Sequence, residues 1–436
     1  MPDVFEKAFH RAEVLLGWCG ETPAQVDAIQ FHGLQNTKYS AAIKEVAEIY
    51  KSRTLAELID KAHLAARHMQ EMGLVEHATP LIDIVPEKPN SYVLNFLTRE
   101  QSNVALGLKM GMTTHGEADG SLTASRMNVD GEGGALSASY SKTVQGSHCF
   151  STSASKPILG WQKYAKFSAS VFRTFTGLPW NEADLTENAV LCGFDHKLFN
   201  KRLQNSTKIN GIWRELRPHK GAPLDIVKHA GHTIKSSFEH VMAWDTRDRP
   251  ILASKGVLLR GGIEFAGILG DSFFAKPQIE VQAAAPLFMG AFLSASLRGT
   301  VIYPLSQRSV HLIDRAYIGG PHDIRGFGVN SIGAPSSAAN VGNVATVAAA
   351  AHIYRPLIPD MCFAHGFVTA GSVASMKSAN QVKDMMEAPR VSAGVGLSLL
   401  FREMIRIELN YVLPLSYVPG DSIHPGFQFG VGLNFL

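Results

Sequence analysis

From Val391 onward the residues alternate so regularly that few folds can accommodate them. Val391, Ala393, Val395, Leu397 and Leu399 take turns with Ser392, Gly394, Gly396 and Ser398, and Ile405, Ile407, Leu409 and Tyr411 with Arg406, Glu408 and Asn410. The final stretch sets Phe427, Phe429, Val431, Leu433 and Phe435 against Gln428, Gly430, Gly432 and Asn434. A period of two describes a strand with one apolar face. Here the second face carries glycine, serine and a few charges, unlike the crowded charge of a face turned to bulk water.

The same pattern occupies Asn103–Thr113, Ala135–Ser141, Tyr164–Arg173, Val257–Phe265 and Ala291–Arg298. Soluble β-sandwiches alternate too. Strand length tilts the choice, because runs of ~10 residues exceed the ~5 to 6 usual in soluble sheets and match the ~9 to 11 of a tilted membrane strand. No stretch reaches the ~18 apolar residues of a spanning helix. Pro286 interrupts the run from Ala283 to Leu293, and Val341–Ala351 is short and broken by Gly342 and Asn343. A membrane-spanning chain of this kind must close into a barrel, since hydrocarbon leaves no partner for an open strand edge.

Division of the chain beyond Gln101 into strands and connections predicts about 16 antiparallel strands. They are expected to begin near residues 103, 119, 134, 146, 163, 186, 206, 231, 254, 274, 289, 341, 363, 390, 404 and 426. One long connection, from about Pro304 to Asn340, holds Gly319, Gly320, Pro321, Gly326, Gly328, Gly333 and Pro335. Loops of that length usually serve function.

Before Gln101 the periodicity is mixed. Gln25–Phe31 reads as a strand and Tyr39–Tyr50 as a helix. A second helix follows from Thr54, with Thr54 as N-cap, Glu57 completing a capping box and Gly73 as C-cap. Strands are expected at Leu81–Val85 and Tyr92–Leu97. The expected organisation is an N-terminal segment (1–23), a small α+β module of order β-α-α-β-β (24–101), and an all-β barrel of 16 antiparallel transmembrane strands (102–436).

Apolar residues make up 45% of the chain and charged residues 18%, too apolar for a disordered protein. The formal net charge of +3 is mild and the basic residues are scattered, so nucleic acid is not an expected partner. Cys19, Cys149, Cys192 and Cys362 lie far apart and form neither a zinc motif nor a disulfide framework. His63 and His68 are five apart, off the one-turn spacing of a metal pair. No catalytic, metal or cofactor site is expected, and the chain does not read as an enzyme. Met1–Trp18 mixes acids and bases, unlike a secretory signal or a cleaved transit peptide, which favours synthesis in the cytosol and insertion without cleavage.

Within the long loop, Ile324, Arg325, Gly326 and Phe327 follow Gly319-Gly320-Pro321-His322-Asp323, between the eleventh and twelfth expected strands. This resembles the loop-tip signature of the outer-membrane protein assembly superfamily, whose sixth outer loop folds back into the barrel. The N-terminal module resembles a single polypeptide-transport-associated (POTRA) domain. Asn128–Gly134 with Ser155-Lys156-Pro157 resembles the family's opening hairpins. Gln428-x-Gly430-x-x-Leu433-x-Phe435 resembles the β-signal of the mitochondrial branch, although a plain lipid-facing strand would alternate in the same way.

The resemblance implies insertion and folding of β-barrel precursors in the mitochondrial outer membrane, with the module in the intermembrane space. It implies a lateral gate between the first strand, with Val104, Leu106, Gly107 and Leu108, and the terminal strand. Precursors, accessory subunits of an assembly complex and membrane lipids are the implied partners. A plastid or bacterial member of the same superfamily, a passive porin-like channel and a soluble β-rich binding protein remain alternatives. Where relatives often place an acidic or amide residue, this chain has Thr369, which leaves Asp323, Glu264, Glu280 and Glu408 as candidate partners of Arg325.

Overall fold

The computed structural model describes residues 17–100, 102, 104–112, 118–199, 201–333, 339–375, 381–401 and 405–432. Asn103, Thr113, Leu433 and Phe435 lie outside the described residues. The chain divides into two compact units.

The first is built on β1 (Gln25–His32), α1 (Tyr39–Val46, continued as a 3-10 turn over Ala47–Lys51), α2 (Leu55–Glu71), β2 (His77–Ile84) and β3 (Ser91–Arg99). The sheet order is β1-β3-β2, with β1 parallel and β2 antiparallel to β3. Thr54 Oγ1 accepts the Glu57 N–H at 3.3 Å, while the Glu57 carboxylate accepts the Arg53 N–H at 2.9 Å, so the return bond reaches one residue further back than in a standard capping box. Leu58, Ala62, Ala65 and Met69 of α2 pack on Val26, Ile49, Leu94 and Phe96, and each large side chain buried there is worth roughly 1.5 to 3 kcal/mol. β2 begins at His77, ahead of the expected Leu81. Pro80 does not stop it because β2 is an edge strand, where a missing N–H forfeits no ladder bond.

This unit takes in more than the N-terminal residues, for Ala124–Ser137 and Ser153–Ser168 belong to it. Leu159 and Trp161 pack against the helical core. Buried Glu45 meets His68 Nδ1 at 2.5 Å and accepts the Gly160 N–H at 2.6 Å. Asn128 Nδ2 donates to Thr37 Oγ1 at 2.7 Å.

The strands that follow close into a barrel; most of it is the second unit, and parts of its first five strands fall in the first. Its strands are β4 (Val104–Met112), β5 (Ala118–Arg126), β6 (Ala135–Thr143), β7 (His148–Ile158), β8 (Ala165–Leu178), β9 (Ala183–Leu198), β10 (Leu203–Pro218), β11 (Gly231–Asp245), β12 (Gly256–Gly270), β13 (Phe274–Pro286), β14 (Phe292–Val301), the two-residue β15 (Tyr303–Pro304), β16 (Ala345–Ile358), β17 (Cys362–Ala374), β18 (Arg390–Phe401), β19 (Ile405–Ser416) and β20 (Gly426–Gly432). Setting β15 aside, sixteen strands follow one another round a closed ring in which β20 neighbours β4. Each long strand begins close to its expected position. The largest discrepancy, Ala345 against residue 341, arises because the preceding residues anchor the loop: Val341 O accepts from Arg315, and Asn343 pairs with Ala316 through backbone bonds.

Alternation resolves into inside and outside. On β19 the even-numbered Arg406, Glu408, Asn410 and Val412 are buried, while Leu409, Tyr411, Leu413 and Leu415 are exposed on the outer face. Apolar surface turned outward and polar groups turned inward invert the order of a soluble core, as a lipid environment requires. No helix among the described residues is long and apolar enough to cross a membrane.

Candidate functional site

The connection between β14 and β16 returns into the barrel and is held at two places. Near its root, the short turn Leu312–Asp314 sends the Asp314 carboxylate into a basic pocket of the wall. Arg214 of β10 grips both carboxylate oxygens at 2.8 Å, and Lys235 of β11 donates at 2.9 Å. Lys276 Nζ bonds the Asp314 carbonyl at 3.0 Å. Glu187 lies 3.3 Å from Arg214, and Glu264 2.6 Å from Lys235. Burial pushes the Asp314 pKa upward, but Arg214 and Lys235 outweigh it and hold the carboxyl well below the usual carboxylate range. Beside this anchor, Tyr317 receives a bond from Asn181 Nδ2 at 3.1 Å, and its hydroxyl pKa is pushed up to about 12, chiefly by burial.

The tip is held differently. Arg325 is fully buried, and its guanidinium donates to Glu408 of β19 at 2.8 and 3.3 Å. It lies 4.9 Å from the Phe367 ring centroid and 3.4 Å from His352 Nε2. Glu408 also receives Arg406 and, at 2.9 Å, Asn410 Nδ2. The main chain around Arg325 is bonded as well: Ser392 Oγ donates to the Arg325 carbonyl at 2.6 Å, and Thr369 and Ser392 hydroxyls meet at 2.7 Å. Of the four candidate acids, Glu408 is the partner of Arg325. Asp323 and Glu280 go to Arg298, at 2.7 and 3.4 Å, and Glu264 to Lys235.

Small residues make this seat possible. Gly326 has φ +85°, a left-handed conformation that favours glycine, and a side chain there would meet Val412 and Pro414. Gly371 on β17 clears space for Ile324, whose Cδ1 would lie 1.7 Å from an added Cβ. Ile324 and Phe327, both fully buried, close the tip against Ala348, Ala350 and Val373.

The tip also reaches the end of the chain. Gln428 Oε1 of β20 accepts the Gly326 N–H at 3.0 Å, the Gly326 carbonyl accepts the His424 N–H at 2.8 Å, and the Ser422 carbonyl accepts the Gly328 N–H at 2.8 Å. Phe327 pairs with Ile423 across an antiparallel bridge. Thus Ile324, Arg325, Gly326, Phe327 and Gln428 form one assembly. Gly430 is buried on β20, while Phe427 and Phe429 project outward. On β4, Val104, Leu106 and Leu108 are exposed on the outer face, with Gly107 half-buried between them. The Asp314, Arg214 and Lys235 anchor was missed by sequence reasoning. Arg214 and Lys235 sit on strands where charges fall on the inner face, a signal that an inner-face count could have found.

A family model described as the Omp85 superfamily domain matches residues 95–435. The chain belongs to the Omp85 superfamily. Among curated proteins, it is 30% identical over 428 residues to "Sorting and assembly machinery component 50 homolog A" of Xenopus laevis, covering 94% of this chain and 90% of that protein. The human "Sorting and assembly machinery component 50 homolog" is 28% identical over the same shares of the two chains. Among solved structures, BamA from Haemophilus ducreyi lacking POTRA domains 1–3 superposes with a TM-score of 0.78 at 15% identity, covering 94% of this chain and 84% of that one. CdiB from Escherichia coli gives 0.58 at 12% identity, covering 94% and 76%. These structural likenesses concern the fold alone.

Proposed function

We propose that this Omp85 chain inserts and folds β-barrel precursors in the mitochondrial outer membrane, using the seam between β4 and β20 as a lateral gate. The observation that carries the reading is the hydrogen bond from Gly326 to Gln428, which ties the loop tip to the last strand as well as to the β16–β19 wall. A tip fastened to both can sense or set the position of the seam. An incoming precursor strand would pair with the edge exposed there by β-augmentation, and its backbone groups would be satisfied as it enters lipid. Each step exchanges one set of backbone hydrogen bonds for another, so no nucleotide or catalytic group is called for. The module of residues 24–101 would receive precursors in the intermembrane space. Accessory subunits of a sorting and assembly complex are the further partners.

Depletion of the protein followed by import of a labelled barrel precursor tests the activity, because a passive channel predicts normal assembly. Paired cysteines test the gate. Pairs spanning residues 104–108 and 426–432 should include some within the ~4.4 to 6.8 Å Cα separation that a disulfide accepts. Oxidation should then block precursor entry or release without lowering the amount of barrel. Normal assembly by locked protein would rule out the seam as the route.

A further inference from the structure

The long loop enters the lumen from the mouth where β14 ends, and antiparallel order places the β11–β12 turn at the opposite mouth. That turn, residues 246–255, is folded rather than merely connecting. The Asp248 carboxylate accepts the N–H groups of Ser254 and Lys255 at 3.0 and 3.2 Å, and Arg249 meets Asp360 of the next-but-one turn on that side at 2.6 Å. Its tip, Ile251, is 7% exposed and packs into a socket made by Phe292, Tyr354, Phe363 and Leu400, all on the inner face of the wall.

Tyr354 belongs both to this socket and to the seat of Arg325. Its hydroxyl is bonded by Arg406, which also holds Glu408, and lies 3.0 Å from His352 Nδ1. Its ring lies 5.0 Å from that of His365, and the next ring, Phe367 at 5.5 Å, is the one beneath the Arg325 guanidinium. A closely packed column therefore runs from Ile251 to Arg325. Close-packed interiors transmit a displacement instead of absorbing it.

We propose that the β11–β12 turn is a second plug of the lumen, and that Ile251 and Tyr354 are positioning residues that brace the Arg325 seat from the opposite mouth. The inference rests on the reading of the loop tip as part of the assembly machinery.

Exposure of the wall beneath the tip gives the test. Ala348 is 1% exposed and covered by Ile324 and Phe327, so in a chain without native cysteines Ala348→Cys should react with a hydrophilic thiol reagent only when the tip lifts. Tyr354→Phe keeps the ring and removes one hydrogen-bonding group, and Ile251→Ser empties the socket. Each should raise the labelling rate about fivefold or more, the equivalent of losing one hydrogen bond. Ile251→Leu should leave it unchanged. Folding is checked by heat-modifiable gel mobility, and Tyr354→Phe decides alone if Ile251→Ser fails to fold. Unchanged labelling in the folded variants overturns the brace. Precursor assembly in the same variants separates the two ideas. Faster labelling with normal assembly supports the brace and removes the functional reading of the tip, whereas slow assembly with unchanged labelling overturns the brace alone.

Discussion

At its root the long loop offers the wall an acid, Asp314, and at its tip a base, Arg325. Both pairs are buried, yet the loop supplies the shared carboxylate at one and a cation at the other. Around Asp314, three cations (Arg214, Lys235, Lys276) face three carboxylates (Glu187, Glu264, Asp314). At the tip it is the wall that holds the shared carboxylate, for Glu408 receives both Arg325 and Arg406. A balanced cluster is costly to break. Glu408 can lose Arg325 and still keep its pair with Arg406. The root therefore has the character of a fixed anchor and the tip that of a releasable latch.

The largest expected effect follows directly. Asp314→Ala leaves the root with an uncompensated buried positive charge, and breaking a buried pair in this way costs about 3 to 5 kcal/mol. Heat-modifiable gel mobility should show a lower unfolding temperature, and the amount of inserted barrel should fall. An inserted barrel of normal stability would mean that the root is no anchor. Arg325→Ala, by contrast, leaves Glu408 paired with Arg406 and Asn410, so barrel abundance should change little while precursor assembly slows severalfold. Equal loss of abundance and assembly would make Arg325 a folding residue and erase the distinction between anchor and latch.

Acid should also weaken the root. His229 packs beside His311 and Arg315, and burial, then the Arg315 charge, lower its pKa from 6.5 to about 4. The unfolded chain therefore takes up this proton before the folded one does. The stability that depends on neutral His229 is complete above pH 6.5, declines as pH falls toward 4, and levels off below. The slope from one such group approaches about 1.4 kcal/mol per pH unit. His229→Gln should flatten the decline in melting temperature between pH 6.5 and 4. An unchanged slope would remove His229 from the account.

The alternation after Gln101 made the barrel legible, because lipid outside and a polar lumen inside impose opposite demands on successive residues. The loop tip was legible through Ile324–Phe327 and its place between the eleventh and twelfth strands. Its partner was not. Asp323 stands on the loop itself and Glu264, Glu280 and Glu408 on strands of the wall, and choosing among the four needs the seat of the tip against those strands, which local pattern does not encode. The root escaped for a related reason: Arg214 and Asp314 are a hundred residues apart, and nothing local to either announces the other. The contribution of Leu159 and Trp161 to the module core was hidden similarly, since a short turn between two strands carries no mark of where it packs.

The smallest expected effect concerns the bond that joins the latch to the seam. Gln428 accepts one hydrogen bond from the N–H of buried Gly326 and is itself partly accessible, so Gln428→Leu should cost the ~0.5 to 1.5 kcal/mol of a typical neutral bond. The bonds of Gly326 O to His424 and of Gly328 N–H to Ser422 would survive, because they run from backbone to backbone. The tip should thus remain seated on Glu408, with abundance and melting temperature close to those of the wild-type protein. What should change is coupling: cysteine pairs across β4 and β20 should oxidise at a different rate in Gln428→Leu, while Gln428→Glu, which keeps an acceptor at the same reach, should stay close to the original rate. If Gln428→Leu instead slows assembly as much as Arg325→Ala does, the latch is held chiefly by the last strand, and the ion pair with Glu408 is secondary.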